Sequence, residues 1–416
     1  MDIAKIYDLF NSSEGISTDT RKIFKNTLFF ALKGENFNGN KFATQAIKQG
    51  ASYAIIDEEK YNTSEHTILV DNVLSTLQAL AHYHRKKLNT PILAITGSNG
   101  KTTTKELINA VLSKKFKTTA TIGNLNNHIG VPLTLLYITE QTEFGIIEMG
   151  ANHQQEISFL SNITEPNFGY ITNFGKAHLE GFGGIEGVIK GKSELYTCLK
   201  KNNQKVFFNT NDTIQKELTQ GMNTIPFGNS TQLTQSDPFL KISYKTLEIK
   251  TNLIGEYNFS NISAAIAIGE YFNVEASKIK EAIEEYVPTN NRSQIISKKS
   301  AQIILDAYNA NPTSMNAALN NFKKTATKNK IIILGDMFEL GDDSNFEHQE
   351  IVNKVELLDF YEIHLIGRHF NKTKASKANL HSTFEAFKNS FIPKNATYLI
   401  KGSRGMALER TLELFD

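Results

Sequence analysis

Short apolar runs recur along the chain, each bounded by glycine, asparagine or a charged residue, with stretches of helical period between them. They are Leu28-Phe-Phe-Ala-Leu32, Tyr53-Ala-Ile-Ile56, Ile92-Leu-Ala-Ile95, Gly145-Ile-Ile147, Phe168-Gly-Tyr-Ile171, Val206-Phe-Phe-Asn209, Gln302-Ile-Ile-Leu-Asp306, Ile331-Ile-Ile-Leu334, Glu362-Ile-His-Leu-Ile366 and Thr397-Tyr-Leu-Ile400. Continuous apolar runs of this length predict strands covered on both faces, as in parallel sheets. Helices are expected over 42–50, 74–87, 103–115, 262–272 and 278–286, with Asn258 or Ser260 as candidate cap of the alanine-rich helix at 262. One segment differs: Leu240, Ile242 and Tyr244, then Leu247 and Ile249, alternate with polar residues and predict an antiparallel hairpin. Strand–helix alternation makes the fold class α/β. At 416 residues the chain is long for one domain. Leu88-Asn-Thr-Pro91 and Val287-Pro288 read as junctions, giving units 1–86, 87–288 and 289–416. The first is a small α/β unit, the second a P-loop-type parallel sheet, the third a Rossmann-like open sheet. The third lacks a Gly-x-Gly-x-x-Gly turn, which argues against a bound dinucleotide.

Chemistry enters at Thr96-Gly-Ser-Asn-Gly-Lys-Thr-Thr-Thr104, between the buried run 92–95 and a helix. Gly97 and Gly100 let the backbone bend and bring the N–H groups of Ser98, Asn99 and Thr103 towards an anion. Lys101 adds a cation, Thr102 offers a hydroxyl to magnesium, and the helix directs its positive end to the same place. Only two residues separate the glycines, so this is a shortened variant of the usual P-loop. Glu148 ends the run 145–147; alone it would be a solvated strand end, but beside a phosphate cradle it suits a metal ion. His178 lies in a loop just past the strand at 168, on the cradle side, and is a ligand candidate. Lys192 on pattern alone is a solvated helix lysine. Asp19 and Arg21 read either as a local surface ion pair or as an anion or sugar contact on a loop.

Composition narrows the partners. A net charge of +2 implies no general affinity for nucleic acid or membrane. No apolar run approaches the ~18 residues of a membrane span. The single cysteine, Cys198, and an N-terminus unlike a signal peptide suit a cytoplasmic protein. The absence of heptads favours a monomer.

The pieces Ser17-Thr-Asp-Thr-Arg21, Thr96–Thr104, Gly123-Asn-Leu-Asn-Asn127, Gly130-Val-Pro-Leu133, Glu148-Met-Gly-Ala-Asn152 and Ala177-His-Leu-Glu180 together resemble the Mur ligases. So do Asp306-Ala-Tyr-Asn-Ala-Asn-Pro312, Leu334-Gly-Asp-Met-Phe-Glu-Leu-Gly341 and Lys401-Gly-Ser-Arg404. The resemblance is closest to the member that joins D-alanyl-D-alanine to UDP-N-acetylmuramoyl-tripeptide. It implies an ATP-dependent amide ligase of peptidoglycan precursor synthesis that works with Mg2+ through an acyl phosphate. It also implies roles for single residues. Gly97–Thr103 would cradle the ATP phosphates, with Lys101 on their outer oxygens. Thr102 and Glu148 would hold one magnesium, and His178, with Lys192 if carbamylated, a second. Asn258 and Asn261 resemble adenine-side contacts, and Arg292 and Asp306 contacts to the ribose or phosphates. Asp19, Thr20 and Arg21 would meet the uridine diphosphate, and Asn126, Asn127, Asn309 and Asn311 the substrate side of the cradle. Lys401 and Arg404 would approach the dipeptide. The third unit is expected to move about residues 287–291. Two departures stand out, Asn38-Gly-Asn40 where the family often has Asp-Gly-His, and Tyr257-Asn258 where it often has His-Asn. Alternatives are another Mur ligase, a folylpolyglutamate-synthase-like ligase, or a nucleotide-switched binding protein.

Overall fold

The computed structural model describes residues 2–289, 291–299 and 301–416, so Asn290 of the expected hinge lies outside the described residues. Four strands in the order Gly15–Ser17, Thr27–Phe30, Ala51–Ile56, Thr67–Leu69 form an all-parallel first sheet. The outer two are three residues long, too short for pattern reading to register. The chain then forms a minimal hairpin, Lys33–Gly34 with Phe37–Asn38, followed by a 3-10 turn.

The second sheet is parallel throughout. Its order is Asn223–Phe227, Lys205–Asn209, Phe168–Ile171, Ile92–Thr96, Phe144–Glu148, Thr118–Ala120. After Ile92–Thr96 the chain winds to one side as far as Thr118–Ala120, then crosses back to the other. Ile92–Thr96 therefore stands where the winding reverses, and a crevice opens there at the carboxyl ends of the strands. Every residue of Ile92–Thr96 and of Phe144–Glu148 is buried, as their unbroken apolar character predicts. The helix Lys101–Leu112 starts two residues earlier than expected, because Gly100 takes a left-handed φ of 79° and serves as its cap position. Helix Tyr257–Tyr271 packs across it. This second helix begins at Tyr257, ahead of both expected caps: Asn258 lies in its first turn, and its amide donates back to the Ile254 carbonyl, just before the helix, at 2.8 Å. The predicted hairpin is present as Lys241–Tyr244 and Leu247–Lys250, with a third strand, Thr231–Gln235, on its edge.

The third sheet runs Gln294–Lys298, Ala301–Asp306, Thr397–Lys401, Lys330–Gly335, Glu362–Ile366, Asn379–His381. The expected open parallel sheet is corrected at one edge: Gln294–Lys298 pairs antiparallel with Ala301–Asp306. Parallel pairing sets Asp306 beside Lys401 at the carboxyl ends of their strands.

The first junction is a packed joint. Helix Val73–Lys87 lies against helices Gly130–Leu136 and Glu156–Thr164 of the next unit. Arg85, nearly buried, donates to the carbonyls of Thr164, Leu88, Thr90 and Glu165 and to Asn167 Oδ1, at 2.8–3.2 Å. Truncating it strands several buried acceptors at once, and each costs about 1–3 kcal/mol when unpaired. Arg85→Ala is expected to destabilise the protein by about 3 kcal/mol, seen as a lower urea midpoint; an unchanged midpoint would refute this account of the joint.

Candidate functional site

The reversal point opens into a cavity of about 810 Å³ between the second and third units. Its floor is the loop 97–100. Gly97 has a φ of 138°, and a Cβ there would fall 2.0 Å from Thr172 Oγ1 and 2.9 Å from the Thr172 nitrogen. A side chain is thus excluded by both conformation and space. Neighbouring loops stitch the bend in place: Ser98 N donates to the Asn173 carbonyl at 3.0 Å, Ser98 Oγ to the Gly175 carbonyl at 2.8 Å, and Asn99 N to Asn173 Oδ1 at 3.1 Å. Lys101 Nζ donates to the Gly97 carbonyl at 2.7 Å and the Ser98 carbonyl at 3.3 Å, so the ammonium sits over the loop. Burial lowers its pKa, the nearby Glu148 carboxylate opposes that, and Arg292 adds to it. One cation, one carboxylate and one guanidinium thus feel each other across the cavity.

Glu148 is 1% exposed. Its Oε1 accepts from Thr102 Oγ1 at 3.1 Å and from Asn126 Nδ2 at 2.8 Å, while its Oε2 is buried with no hydrogen-bond partner among the described residues. A buried carboxylate oxygen left unpaired is costly unless a cation answers it. The donor set around it, a carboxylate and a hydroxyl, is the oxygen chemistry that suits Mg2+.

His178 lines the same cavity in a left-handed conformation, φ 54°. Its Nδ1 lies 2.5 Å from Glu339 Oε2 of the third unit, outside the angles of a hydrogen bond. The imidazole holds the Glu339 carboxyl below the usual carboxylate range, against the opposing effect of burial. Lys192 is not the solvated lysine its pattern suggests. It is fully buried, donates to the Ala151 carbonyl at 2.9 Å, and lies 4.9 Å from the Phe182 ring centroid. Burial, then repulsion from Lys101, drives its pKa well below that of a free lysine. It does not line the cavity itself; Ala151, its partner, does.

The third unit supplies the roof. Asn311 caps helix Pro312–Lys324 and donates through Nδ2 to Asn99 Oδ1 at 2.7 Å, while Lys176 N donates to Thr313 Oγ1 at 2.9 Å. Asp306 accepts from Lys401 Nζ at 2.6 Å and from Ser293 N at 3.1 Å. The Arg292 guanidinium stacks over Tyr308 at 3.7 Å.

Of the residues singled out in the sequence, the cavity gathers Ser98–Thr103, Asn126, Asn127, Glu148, His178, Asn258, Asn261, Arg292, Asp306, Asn309, Asn311 and Lys401. Asn258 and Asn261 also bind each other at 2.8 Å, and Thr104 Oγ1 donates to Asn261 at 3.1 Å, which ties the two central helices together. Lys401 is 2% exposed and lines the cavity, whereas Arg404 is exposed and outside it. Asp19, Thr20 and Arg21 also lie outside it. There Asp19 Oδ2 and Arg21 form a 2.8 Å local ion pair, and hydrogen bonding from Arg21 lowers the Asp19 pKa to about 2. Asn173, Tyr308, Thr313 and Glu339 received no role from the sequence. Asn173 closes an apolar strand run and the other three lie in or beside motifs already noted, but only folding shows that Asn173 meets the loop 97–101, Tyr308 the Arg292 guanidinium, Thr313 the Lys176 nitrogen and Glu339 His178.

Known proteins resemble this chain along nearly its whole length. The Mur ligase family catalytic domain matches residues 13–88, the Mur ligase middle domain 95–269, and the Mur ligase glutamate ligase domain 291–413. The UDP-N-acetylmuramoyl-tripeptide–D-alanyl-D-alanine ligase of Bacillus subtilis is 34% identical, over 96% of this chain and 92% of its own. The Haemophilus influenzae protein of the same name is also 34% identical, over 95% and 92%. Among solved structures, MurF from Acinetobacter baumannii superposes with a TM-score of 0.85 at 30% identity, covering 97% of this chain and 93% of that one. MurF ligase from Thermotoga maritima in complex with ADP gives 0.85 at 26% identity, covering 98% of each. Three family domains in unbroken order, full-length relatives and a glycine-bent loop facing a buried carboxylate agree: the chain belongs to the Mur ligase family.

Proposed function

We propose that this protein joins D-alanyl-D-alanine to UDP-N-acetylmuramoyl-tripeptide at the expense of ATP, giving UDP-N-acetylmuramoyl-pentapeptide, ADP and phosphate. The observation that carries this is 34% identity, over nearly the whole chain, to ligases of that name, together with a loop, carboxylate and roof that suit the reaction. A free carboxylate is a poor acylating agent. Its oxygen attacks the γ-phosphorus of ATP, the bond to the β–γ bridging oxygen breaks, and ADP leaves. The dipeptide amine then attacks the acyl carbon, a proton is lost from nitrogen, and the C–O bond to phosphate breaks.

The protein contributes position and charge. The N–H groups of Gly100–Thr103 and the helix end behind them orient the phosphates, those of Ser98 and Asn99 being bonded to Asn173 instead, and Lys101 neutralises the transferring group. Thr102 and Glu148 would hold a magnesium ion, and His178 with a carbamylated Lys192 a second. When bound, the metal ions supply positive charge to the crowded phosphate and carboxylate oxygens. Burial suits Lys192 to that modification, since a neutral amine is the form that adds carbon dioxide. Asn258 and Asn261 lie on the adenine side; Arg292 and Asp306 serve the ribose or phosphates. Asn126, Asn127, Asn309 and Asn311 face the peptide substrates, and Lys401, paired with Asp306, approaches the dipeptide. Arg404, outside the cavity, would meet the dipeptide only after a movement of the third unit. The first unit, with Asp19, Thr20 and Arg21, takes the uridine diphosphate end, and the third brings the dipeptide, turning about residues 287–291. Closure excludes the water that would hydrolyse the acyl phosphate. Among the described residues no helix is long and apolar enough to cross a membrane. We place the enzyme in the cytoplasm as a monomer.

The test is a coupled assay with ATP, Mg2+, UDP-N-acetylmuramoyl-tripeptide and D-alanyl-D-alanine, with mass detection of the pentapeptide. Turnover is expected with the dipeptide and not with single amino acids. The reverse preference would refute the assignment.

A further inference from the structure

His178 and Glu339 belong to different units, and each adopts a left-handed backbone that L residues rarely take, with φ of 54° and 61°. Conformations of this kind persist where the surroundings over-determine them, and they cluster at functional sites. Here both are held by their mutual contact and its neighbours. The Glu339 carbonyl accepts from Glu180 N at 3.3 Å, two residues after His178. Gly341, φ 55°, brings its backbone against the Glu180 side chain, where a Cβ would sit 3.2 Å from Glu180 Cβ. The two loops are shaped to set a carboxylate against the buried Nδ1 of His178.

Docking of the third unit does not need that carboxylate. Lys176 Nζ already reaches Glu347 Oε1 at 2.6 Å, Asn311 reaches Asn99, and Lys176 N reaches Thr313. Glu339 therefore does something further. A metal-binding histidine characteristically has its other ring nitrogen held by a carboxylate, which fixes the tautomer, the ring orientation and the basicity of the ligating nitrogen.

We propose that Glu339 is a positioning residue for His178, delivered by the third unit. On cation binding its carboxylate, already 2.5 Å from Nδ1, accepts a hydrogen bond from that nitrogen and leaves Nε2 as the lone-pair nitrogen for a divalent cation. This rests on the metal role given to His178 above. It also adds a consequence. The second cation site is complete only while the third unit is docked, so carboxyl activation is tied to the docking of that unit.

The test compares wild type with Glu339→Gln, which keeps size but removes charge, and with Glu339→Ala. Mn2+ is titrated by electron paramagnetic resonance in the presence of a non-hydrolysable ATP analogue and the UDP-tripeptide. Wild type is expected to bind two Mn2+ ions. Both variants are expected to bind one of them about tenfold more weakly, with the other unchanged. In steady state, kcat at limiting Mg2+ falls and recovers at high Mg2+, KM for the UDP-tripeptide is unchanged, and the solution-scattering envelope stays that of wild type. Variant isotherms that match wild type overturn the proposal. So does a single Mn2+ site in wild type, or an expanded envelope with unchanged Mn2+ affinity, which would make the contact a latch. Failure of the broader assignment reads differently: wild-type protein that makes no pentapeptide.

Discussion

Lys101→Ala protein is expected to fold as wild type does and to make pentapeptide at least ~10³-fold more slowly. Among the described residues the Lys101 ammonium bonds only to the carbonyls of Gly97 and Ser98, within its own loop. The helix it begins is anchored by Leu107, Ile108, Val111 and Leu112, all fully buried, and alanine is the best helix former for the vacated position. Stability should therefore change little. Catalysis should not survive, because a fixed cation aimed at charge that grows in the transition state cannot be replaced by water, which must reorganise at each turnover. Removing one such donor typically costs 10²–10³-fold, and a full charge beside the transferring phosphoryl group stands at or above that range. Quenched-flow measurement of ADP release, with circular dichroism on the same sample, separates the two effects. Turnover within a few-fold of wild type would remove Lys101 from the mechanism and, with it, the phosphate reading of the loop.

Gly97→Ala is expected to destabilise the protein by about 3 kcal/mol and to abolish detectable ADP binding. Alanine rarely adopts a φ of 138°, and its Cβ would lie 2.0 Å from Thr172 Oγ1, 2.9 Å from the Thr172 nitrogen and 3.1 Å from the Asn173 nitrogen. The hydroxyl cannot simply rotate away without giving up its 2.6 Å bond to the Asn99 carbonyl, and the two nitrogens are backbone. The strand end and the loop after Ile171 must separate, which takes Ser98 and Asn99 off the Asn173 anchor and unshapes the cradle. Gly123→Ala is the control: its φ of 56° is also left-handed, but a Cβ there meets nothing within 4 Å. It should cost about 1 kcal/mol and leave ADP affinity intact. Calorimetric unfolding and ADP titration on both variants check the contrast. A Gly97→Ala protein that melts and binds like wild type would show that the bend tolerates a side chain.

Chain order alone carried most of the architecture. Apolar runs such as Ile92–Ile95 and Ile331–Leu334 announce buried parallel strands, because a strand covered on both faces has no polar side to show. The phosphate loop was equally legible, since a left-handed glycine, a lysine and a helix start are consecutive residues and their geometry is local. What failed was short or edge structure. Gly15–Ser17, Thr67–Leu69 and Thr231–Gln235 are strands only because a neighbour offers them a ladder to join, and propensity cannot register a partner. The antiparallel edge Gln294–Lys298 is the same case.

At the site, the sequence determined which chemical groups the chain possesses and where the backbone must bend: Gly97, Gly100, Lys101, Thr102 and Glu148 follow from local pattern. Tertiary structure decided their company and their charge. Lys192 reads as a solvated helix lysine and Lys401 simply follows an apolar run, yet both are buried, one against the Ala151 carbonyl and one against Asp306. Glu339 lies in the motif 334–341 and had no role of its own, yet it meets His178 across 161 positions of chain. The reason is physical. Bends and periodicities are set by interactions a few residues long, whereas burial, pairing and proton affinity depend on which remote groups the packed units bring within a few ångströms, and those distances exist only once the chain has folded.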